Sequence, residues 1–293
     1  MRFTHEQEFT IGARREQVFE ALTDETALRG WFAEAVEVEP REGGLFRFSG
    51  RGAYKGGGEG RITAFEVGRR LAISYDFDGI PCDLDLRLED GEGSATKLRL
   101  RQEFERTPPG ERIKHLLEDL WRLHIVNLMS WFGQRHAILL PDFDDPAPKV
   151  ELSIHIDAPP AVVFDALTDP EMLKVVFGAP DPVVEPRVGG AYRFGWSYEV
   201  EGRKVIGGPT KILEITPGER LVTDWPDWRG DPDIPVQRVA WTLAPEGQGT
   251  RLSLVHDGFV RTVDMGDYPG GWGFFLGQLK TTAEKAAVPL EPA

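Results

Sequence analysis

The sequence contains very little cysteine: Cys82 is the only one among 293 residues. An intrachain disulfide is therefore excluded, which is typical of a protein from a reducing cytoplasm. Long apolar runs are missing as well, since no stretch of about 18 apolar residues occurs that could span a membrane. The first residues, MRFTHEQEFTI, lack the apolar core of a secretory signal peptide. We therefore expect a cytoplasmic location and no membrane span.

Positive charge is also scarce. The chain has 34 Lys and Arg against 48 Asp and Glu, which gives a formal net charge of -14. Residues 1–149 carry 21 basic and 27 acidic residues, and residues 150–293 carry 13 and 21, so neither half is basic. Binding to a phosphate backbone needs clustered Lys and Arg, so nucleic acid is excluded as a partner. With 41% hydrophobic and 28% charged residues, the composition is that of a folded globular protein.

The chain repeats itself at a distance of about 145 residues. The segment EQVFEALTDETALRGWF, residues 16–32, recurs as AVVFDALTDPEMLKVVF, residues 161–177. The register continues, because Gly43-Gly44 and Phe48 recur as Gly189-Gly190 and Phe194. A similarity of this length predicts a duplicated domain rather than a solenoid of short repeats. The proline-rich segment PDFDDPAPK, residues 141–149, is predicted to be a stiff linker between domains at 1–140 and 150–288.

Each predicted domain contains a strand, two short helices, a run of antiparallel strands and a long helix. In CDLDLRLED, residues 82–90, apolar and charged residues alternate, which indicates a strand with one buried and one exposed face. Asp24 and Asp169 stand where a helix N-cap is expected. Apolar residues at helical spacing follow Pro108 in the first domain and Gly270 in the second. The predicted fold class is α+β, with a curved antiparallel sheet wrapped around one long C-terminal helix in each domain.

The second domain carries three further segments that resemble one known family. They are GPTKILEITPGERLVTDW at 208–225, VAWTLAPEGQGTRLSLVHDGF at 239–259 and GGWGFFLGQLK at 270–280. With FDALTDPE they resemble the activators of the 90 kDa heat-shock protein ATPase and their bacterial homologues. This AHSA/CalC-type family belongs to the START-like superfamily, also called SRPBCC or Bet-v-1-like, whose fold is the helix-grip. The first domain is a more diverged copy, with Gln102 where the aligned position of the second domain has His256.

The resemblance implies an internal apolar cavity for lipids, polyketides or other hydrophobic small molecules, and no obligatory cofactor. On this basis we expect the second domain to hold such a ligand among large aromatic and apolar side chains. Rings with a polar edge suit a planar or amphipathic ligand, although the same rings could also fill the interior completely. The candidate residues of the second domain are Phe194, Trp196, Tyr198, Trp225, Trp241, His256, Trp272, Phe275, Leu276 and Leu279. Those of the first domain are Phe48, Tyr75, Trp121, His124 and Leu128.

Two histidines are candidates for the polar part of such a site. His256 shares its strand face with Leu252 and Leu254, so it is expected to point inward, where it could orient a ligand or act as a general base. The alternative is a histidine with a purely structural hydrogen bond. His124 lies in the apolar stripe of the first long helix and has the same two interpretations.

A metal site is not predicted. His115, His124 and His136 are nine and twelve residues apart, so on a helix they point in different directions and cannot converge on one ion. The leading hypothesis is a non-catalytic protein that binds a lipid, a polyketide-like metabolite or a drug. One alternative is a polyketide cyclase or aromatase-like enzyme with His256 as its acid/base. The other is a protein-interaction module, with a chaperone or another protein as partner in a stress or self-resistance role.

Overall fold

The chain forms two compact units. The computed structural model describes residues 2–110, 112–133, 138–200 and 202–288. The first unit comprises Met1–Asp145 together with Arg261–Gly270, and the second comprises Pro146–Val260 together with Gly271–Ala293. The inclusion of the segment 261–270 in the first unit is not anticipated by the sequence. Among the described residues, no helix is both long enough and apolar enough to cross a membrane.

The first unit contains one seven-stranded antiparallel sheet and one long helix. The strand order is β1-β7-β6-β5-β4-β3-β2. The strands are β1 Phe3–Ile11, β2 Ala35–Val38, β3 Leu45–Ser49, β4 Gly57–Glu66, β5 Arg70–Phe77, β6 Ile80–Asp90 and β7 Thr96–Phe104. The helices are α1 Arg15–Thr23, α2 Glu25–Trp31 and α3 Ile113–Trp131, with a short 3-10 helix at Tyr54–Gly56.

The local sequence explains these elements. Along β6, Leu84, Leu86 and Leu88 are buried while Asp83 and Arg87 are exposed, which confirms the predicted alternation. Their buried face packs against the apolar side of α3, so sheet and helix share one core. The two short helices are separated by Asp24, whose side chain accepts a hydrogen bond from the backbone N–H of Ala27 at 2.8 Å, as an N-cap does.

The second unit has a similar order of elements with two additional strands, and its sheet is divided. Its main sheet is β13-β14-β15-β16-β8, and β9-β10 and β11-β12 form two separate pairs. The strands are β8 Val150–Ile156, β9 Val183–Val184, β10 Tyr192–Arg193, β11 Ser197–Val200, β12 Arg203–Ile206, β13 Ile212–Thr216, β14 Arg220–Trp225, β15 Gln237–Glu246 and β16 Gly249–Asp257. The helices are α4 Pro160–Thr168, α5 Pro170–Val176 and α6 Tyr268–Ala287. The helix-grip arrangement predicted for both copies is confirmed.

One strand predicted in the second domain is interrupted. The alternation in AYRFGWSY predicts that Tyr198 shares the inward face of Phe194 and Trp196, but the strand breaks at Gly195, whose φ of 79° is outside the extended region. Tyr198 therefore lies on β11, outside the main sheet, with 40% of its surface exposed. The prediction that it faces the same interior as Phe194 is wrong.

The segment 261–270 is anchored on the first unit by apolar and polar contacts. Val263 is buried in a cluster that contains Phe104 and Leu117. The hydroxyl of Thr262 donates a hydrogen bond to the backbone carbonyl of Asp142 at 2.9 Å. We refer to residues 261–270 as the strap.

His155, on the edge strand β8 of the second unit, is expected to make the free energy of unfolding depend on pH. His155 Nδ1 lies 2.6 Å from Glu246 Oε2, and Nε2 lies 3.0 Å from Asp157 Oδ1. The pKa of His155 is raised mainly by its hydrogen bond to Glu246 and, to a smaller extent, by the one to Asp157. The pKa of Glu246 is lowered mainly by its hydrogen bond from Arg251 and, to a smaller extent, by the one from His155. The histidine therefore contributes stability in full below the unfolded pKa of 6.5, and the glutamate contributes in full above 4.5.

We expect this contribution to disappear as the pH rises through the folded pKa of His155. In urea titrations, the midpoint of the wild-type protein should fall from pH 6 to pH 9 by more than that of His155→Gln. An identical pH dependence in both proteins would show that the His155 contacts do not contribute to stability.

Candidate functional site

The first unit encloses a cavity of about 60 Å³ between its sheet and α3. This is several times the roughly 10–15 Å³ that a single water molecule requires, and less than half of the roughly 150 Å³ of an engineered cavity that binds benzene, so an aromatic ligand would also occupy the exposed end of the cavity. The walls are mainly aromatic and aliphatic side chains from α2, the sheet and α3. The residues that matter most for the chemistry are Phe32, Phe46, Phe48, Tyr54, Tyr75, Leu86, Gln102, Trp121 and His124.

Three of the polar side chains that line this cavity bind one another. The indole N–H of Trp121 on α3 donates a hydrogen bond to Gln102 Oε1 on β7 at 2.7 Å. The amide nitrogen of Gln102 donates to the hydroxyl of Tyr75 at 3.0 Å and lies 3.8 Å from the Sγ atom of Cys82. Gln102 is fully buried, so these bonds remove the penalty that its amide would otherwise carry. The group ties the long helix to three adjacent strands.

The groups deep in the cavity are uncharged near neutral pH. Burial raises the pKa of Tyr75 well above its usual value and the pKa of Cys82, which contacts Gln102 but does not line the cavity, to about 12, so both stay protonated. Burial also lowers the pKa of His124 to about 3, so its imidazole is neutral. Acidic side chains occur only towards the exposed end of the lining, at Asp76 and Asp78. An apolar interior without net charge suits an uncharged ligand.

His124 differs from its polar neighbours in this cavity. It is only 4% exposed, and its ring lies 4.8 Å from that of Phe32 and 5.9 Å from that of Trp121. Its Nδ1 atom is buried without a hydrogen-bond partner among the residues that the structure describes. The interpretation of His124 as a core histidine with a satisfied structural hydrogen bond therefore does not hold for this nitrogen.

The exposed end of the cavity is bordered by stacked rings. Tyr54 stacks on Phe77 with ring centroids 5.4 Å apart and meets Phe143 edge-on at 5.6 Å. Tyr54 and Phe143 also line a second pocket together with Thr262 and Val263 of the strap. The mouth of the cavity is thus bordered by rings from the β3-β4 connection and the predicted linker.

In the second unit, large rings pack against one another in the equivalent region. Phe177 stacks on Phe194 at 4.7 Å, and Trp196 stacks on Phe275 at 5.8 Å. Trp272 lies at the centre, 4.9 Å from Trp225 and 5.6 Å from Trp241. Edge-to-face and stacked contacts at these distances are those of a packed aromatic core.

His256 is part of this packing. The indole N–H of Trp272 can only donate, so His256 Nδ1 accepts that hydrogen bond at 3.0 Å. His256 Nε2 then carries the proton and donates to Gln237 Oε1 at 2.9 Å. The residue is fully buried, and burial lowers its pKa to about 3. With both nitrogens engaged, this arrangement favours the structural interpretation of His256 over an acid/base role.

The strand pairings identify equivalent positions in the two units. Leu71 pairs with Leu86 in the first unit, and the repeated Leu221 pairs with Trp241 in the second, so Leu86 corresponds to Trp241. The same registers make Tyr75 equivalent to Trp225, and Gln102 equivalent to His256. At two of these lining positions, the first unit has a smaller side chain, Leu86 or Tyr75, where the second unit has tryptophan.

Most of the candidate residues from the sequence lie in these two interiors. Phe48, Tyr75, Trp121 and His124 line the cavity of the first unit, while Leu128 is buried in the adjoining core. The second-unit candidates lie in or beside the aromatic core, apart from the exposed Tyr198. They are Phe194, Trp196, Trp225, Trp241, His256, Trp272, Phe275, Leu276 and Leu279.

Sequence reasoning missed most of the cavity lining, including several aromatic and polar residues. Phe32, Phe46, Tyr54 and Gln102 line the cavity but are not among the sequence candidates. Phe32 could have been found, because it ends the first repeated segment at the position of Phe177. Gln102 differs from its counterpart His256 in the second copy, but the sequence does not indicate its hydrogen-bond partners. No cluster of three or more potential metal ligands occurs among the described residues, and His136 lies outside them.

Comparisons with known proteins identify one family. The family model described as "Activator of Hsp90 ATPase homolog 1-like protein" matches residues 12–133 and 157–284. No curated protein sequence matches the chain.

Several solved structures are similar over one or both copies. DynU16, a protein in the dynemicin biosynthetic locus, is 17% identical with a TM-score of 0.42, over 96% of this chain and 98% of its own. The di-domain ARO/CYC BexL from the BE-7585A biosynthetic pathway is 14% identical with a TM-score of 0.39, over 99% and 100%. The Aha1 dimer from Colwellia psychrerythraea is 15% identical with a TM-score of 0.37, over 44% and 94%.

Proposed function

The chain belongs to the family of activator of Hsp90 ATPase homolog 1-like proteins, and from its two interiors we propose that it binds an uncharged, largely apolar small molecule in the first unit. The observation that carries this proposal is the cavity of about 60 Å³ between the sheet and α3. Its aromatic walls provide apolar contact, and its few polar groups can orient a ligand. The second unit then serves as the packed copy, which reverses the assignment expected from the sequence.

The proposed activity is binding rather than turnover. The three hydrogen-bonded cavity groups, Tyr75, Gln102 and Trp121, are occupied with one another, and His124, whose pKa burial lowers to about 3, is a weak base near neutral pH. A general acid or base needs to reach a substrate proton within hydrogen-bond distance. His256, the acid/base of the cyclase-like alternative, has both ring nitrogens bonded inside the filled second unit. A chaperone or other protein partner and a cytoplasmic location stay predictions from the sequence.

Stoichiometry tests the proposal directly. We expect native mass spectrometry of the purified protein, or calorimetric titration with phenol as a small aromatic probe, to give one bound molecule per chain. Two equivalent sites would contradict the assignment of the second unit as filled, and the absence of any saturable binding would contradict the proposed function. The reciprocal exchange of Leu86 and Trp241, discussed below, provides the matched variants.

A further inference from the structure

We infer that His124 selects ligands that carry a hydroxyl group, which hydrogen-bonds to its ring inside the cavity; this inference rests on the proposed function. His124 lines the cavity and is only 4% exposed. Its Nδ1 atom has no hydrogen-bond partner among the described residues. Buried polar atoms in folded proteins are nearly always paired, so an exception calls for a physical explanation.

The other polar groups deep in the cavity already have hydrogen-bond partners within the protein. Gln102, Tyr75 and Trp121 line the same cavity, and their polar atoms bond one another. Among the lining side chains that the structure describes, only His124 has a buried nitrogen without a partner. A buried donor or acceptor without a partner costs about 1–3 kcal/mol. A ligand that pairs with it recovers this energy on binding.

The second unit indicates that packing alone does not require the histidine nitrogens. Trp121 and His124 are three residues apart on α3, as Trp272 and Phe275 are on α6, so His124 corresponds to Phe275. The Phe32–His124 centroid distance is 4.8 Å, and the equivalent Phe177–Phe275 distance is 5.1 Å. A phenyl ring therefore makes the same helix-to-ring contact in this fold. The nitrogen atoms add polarity to a position that the second copy keeps apolar.

The chemistry of the imidazole specifies the ligand group. Because burial lowers the pKa of His124 to about 3, the ring is neutral and has one N–H donor and one acceptor nitrogen. An alcohol or phenol hydroxyl can donate and accept, so it can pair with a nitrogen of the His124 ring in either tautomer. A carboxylate or ammonium group would lose its hydration in a cavity whose deep groups are uncharged. The expected ligand class is a small aromatic or aliphatic molecule with one hydroxyl group.

Phenol and toluene test this inference, because they have the same size and differ only in hydroxyl against methyl. We would measure both dissociation constants by calorimetry for the wild-type protein and for His124→Phe, which introduces the residue of the second copy. The dissociation constant of toluene divided by that of phenol should be about five- to tenfold larger for the wild type than for His124→Phe, as expected for one hydrogen bond in a cavity. Equal ratios in the two proteins would overturn the role of His124.

A measurement on the wild-type protein covers the case in which His124→Phe does not fold. Phenol should shift the 15N resonances of the His124 imidazole in NMR spectra, because it changes the hydrogen bonding of the ring, and toluene should shift them much less. Similar shifts with both probes would overturn the inference but leave the proposed function intact. Saturable binding of neither probe would instead count against the proposed function itself.

Discussion

Leu86→Trp should abolish ligand binding by the first unit, with at least a tenfold loss of affinity for phenol in calorimetric titration. Leu86 lines the cavity, and the equivalent position of the second unit holds Trp241, whose ring contacts Phe177 and Trp272. The larger ring would occupy the space that a ligand needs. Overpacking an already filled core typically costs about 1–3 kcal/mol, but here part of the added volume enters a void. We therefore expect the variant to fold.

The reciprocal variant, Trp241→Leu, provides the matched control. It removes a ring from the filled second unit and should create a second cavity, so the number of phenol molecules bound per chain should rise from one towards two. It should also lower the free energy of unfolding by about 2–4 kcal/mol, because the vacated space is not refilled. Unchanged phenol affinity in Leu86→Trp would show that the ligand does not bind in this cavity.

Trp272→Ala should lower the free energy of unfolding of the second unit by about 3–5 kcal/mol, the range for deleting a large buried ring. Trp272 is 2% exposed, contacts Trp225 and Trp241, and donates its indole N–H to His256 Nδ1. The substitution removes the ring and leaves the imidazole nitrogen without its donor. Urea denaturation followed by circular dichroism would measure the loss.

Trp272→Phe keeps an aromatic ring but removes the N–H donor and part of the indole volume. We expect it to cost about 1–3 kcal/mol, the range for a buried polar atom that loses its partner. Trp121→Phe is the matched variant in the first unit, where the same indole bond goes to Gln102. A cost below about 1.5 kcal/mol for Trp272→Ala would contradict the central position of this ring in the core.

The arrangement of the elements could be predicted because it depends on local patterns. Alternation along residues 82–90 identifies a strand face, and Asp24 and Asp169 identify two helix starts by the chemistry of the N-cap. The duplication then transfers each assignment to the other half of the chain. Gly195 limits this approach, because a positive φ at one residue moves Tyr198 out of the predicted face.

The location of the cavity could not be predicted in the same way. It depends on the summed volumes of side chains that are far apart in sequence, such as Leu86 and Tyr75 against Trp241 and Trp225. The family signature that includes His256 points to the second domain as the ligand site. The hydrogen bonds of Gln102 to Tyr75 and Trp121 join residues that are far apart in sequence, so the sequence does not predict them. The sequence specifies the side-chain volumes, but the size of a cavity depends on which side chains the fold brings into contact.

Because the strap belongs to the first unit, no single cleavage of the chain separates the two compact units. Although the sequence repeats in tandem, the first unit is assembled from two stretches of chain, because Arg261–Gly270 is part of it. Val263 of this segment contributes to the same buried cluster as Leu117 and Leu120 of α3. Expression of residues 1–149 alone would therefore yield an incomplete body with an uncovered apolar groove. The boundary between the two compact units therefore differs from the boundary between the two sequence repeats.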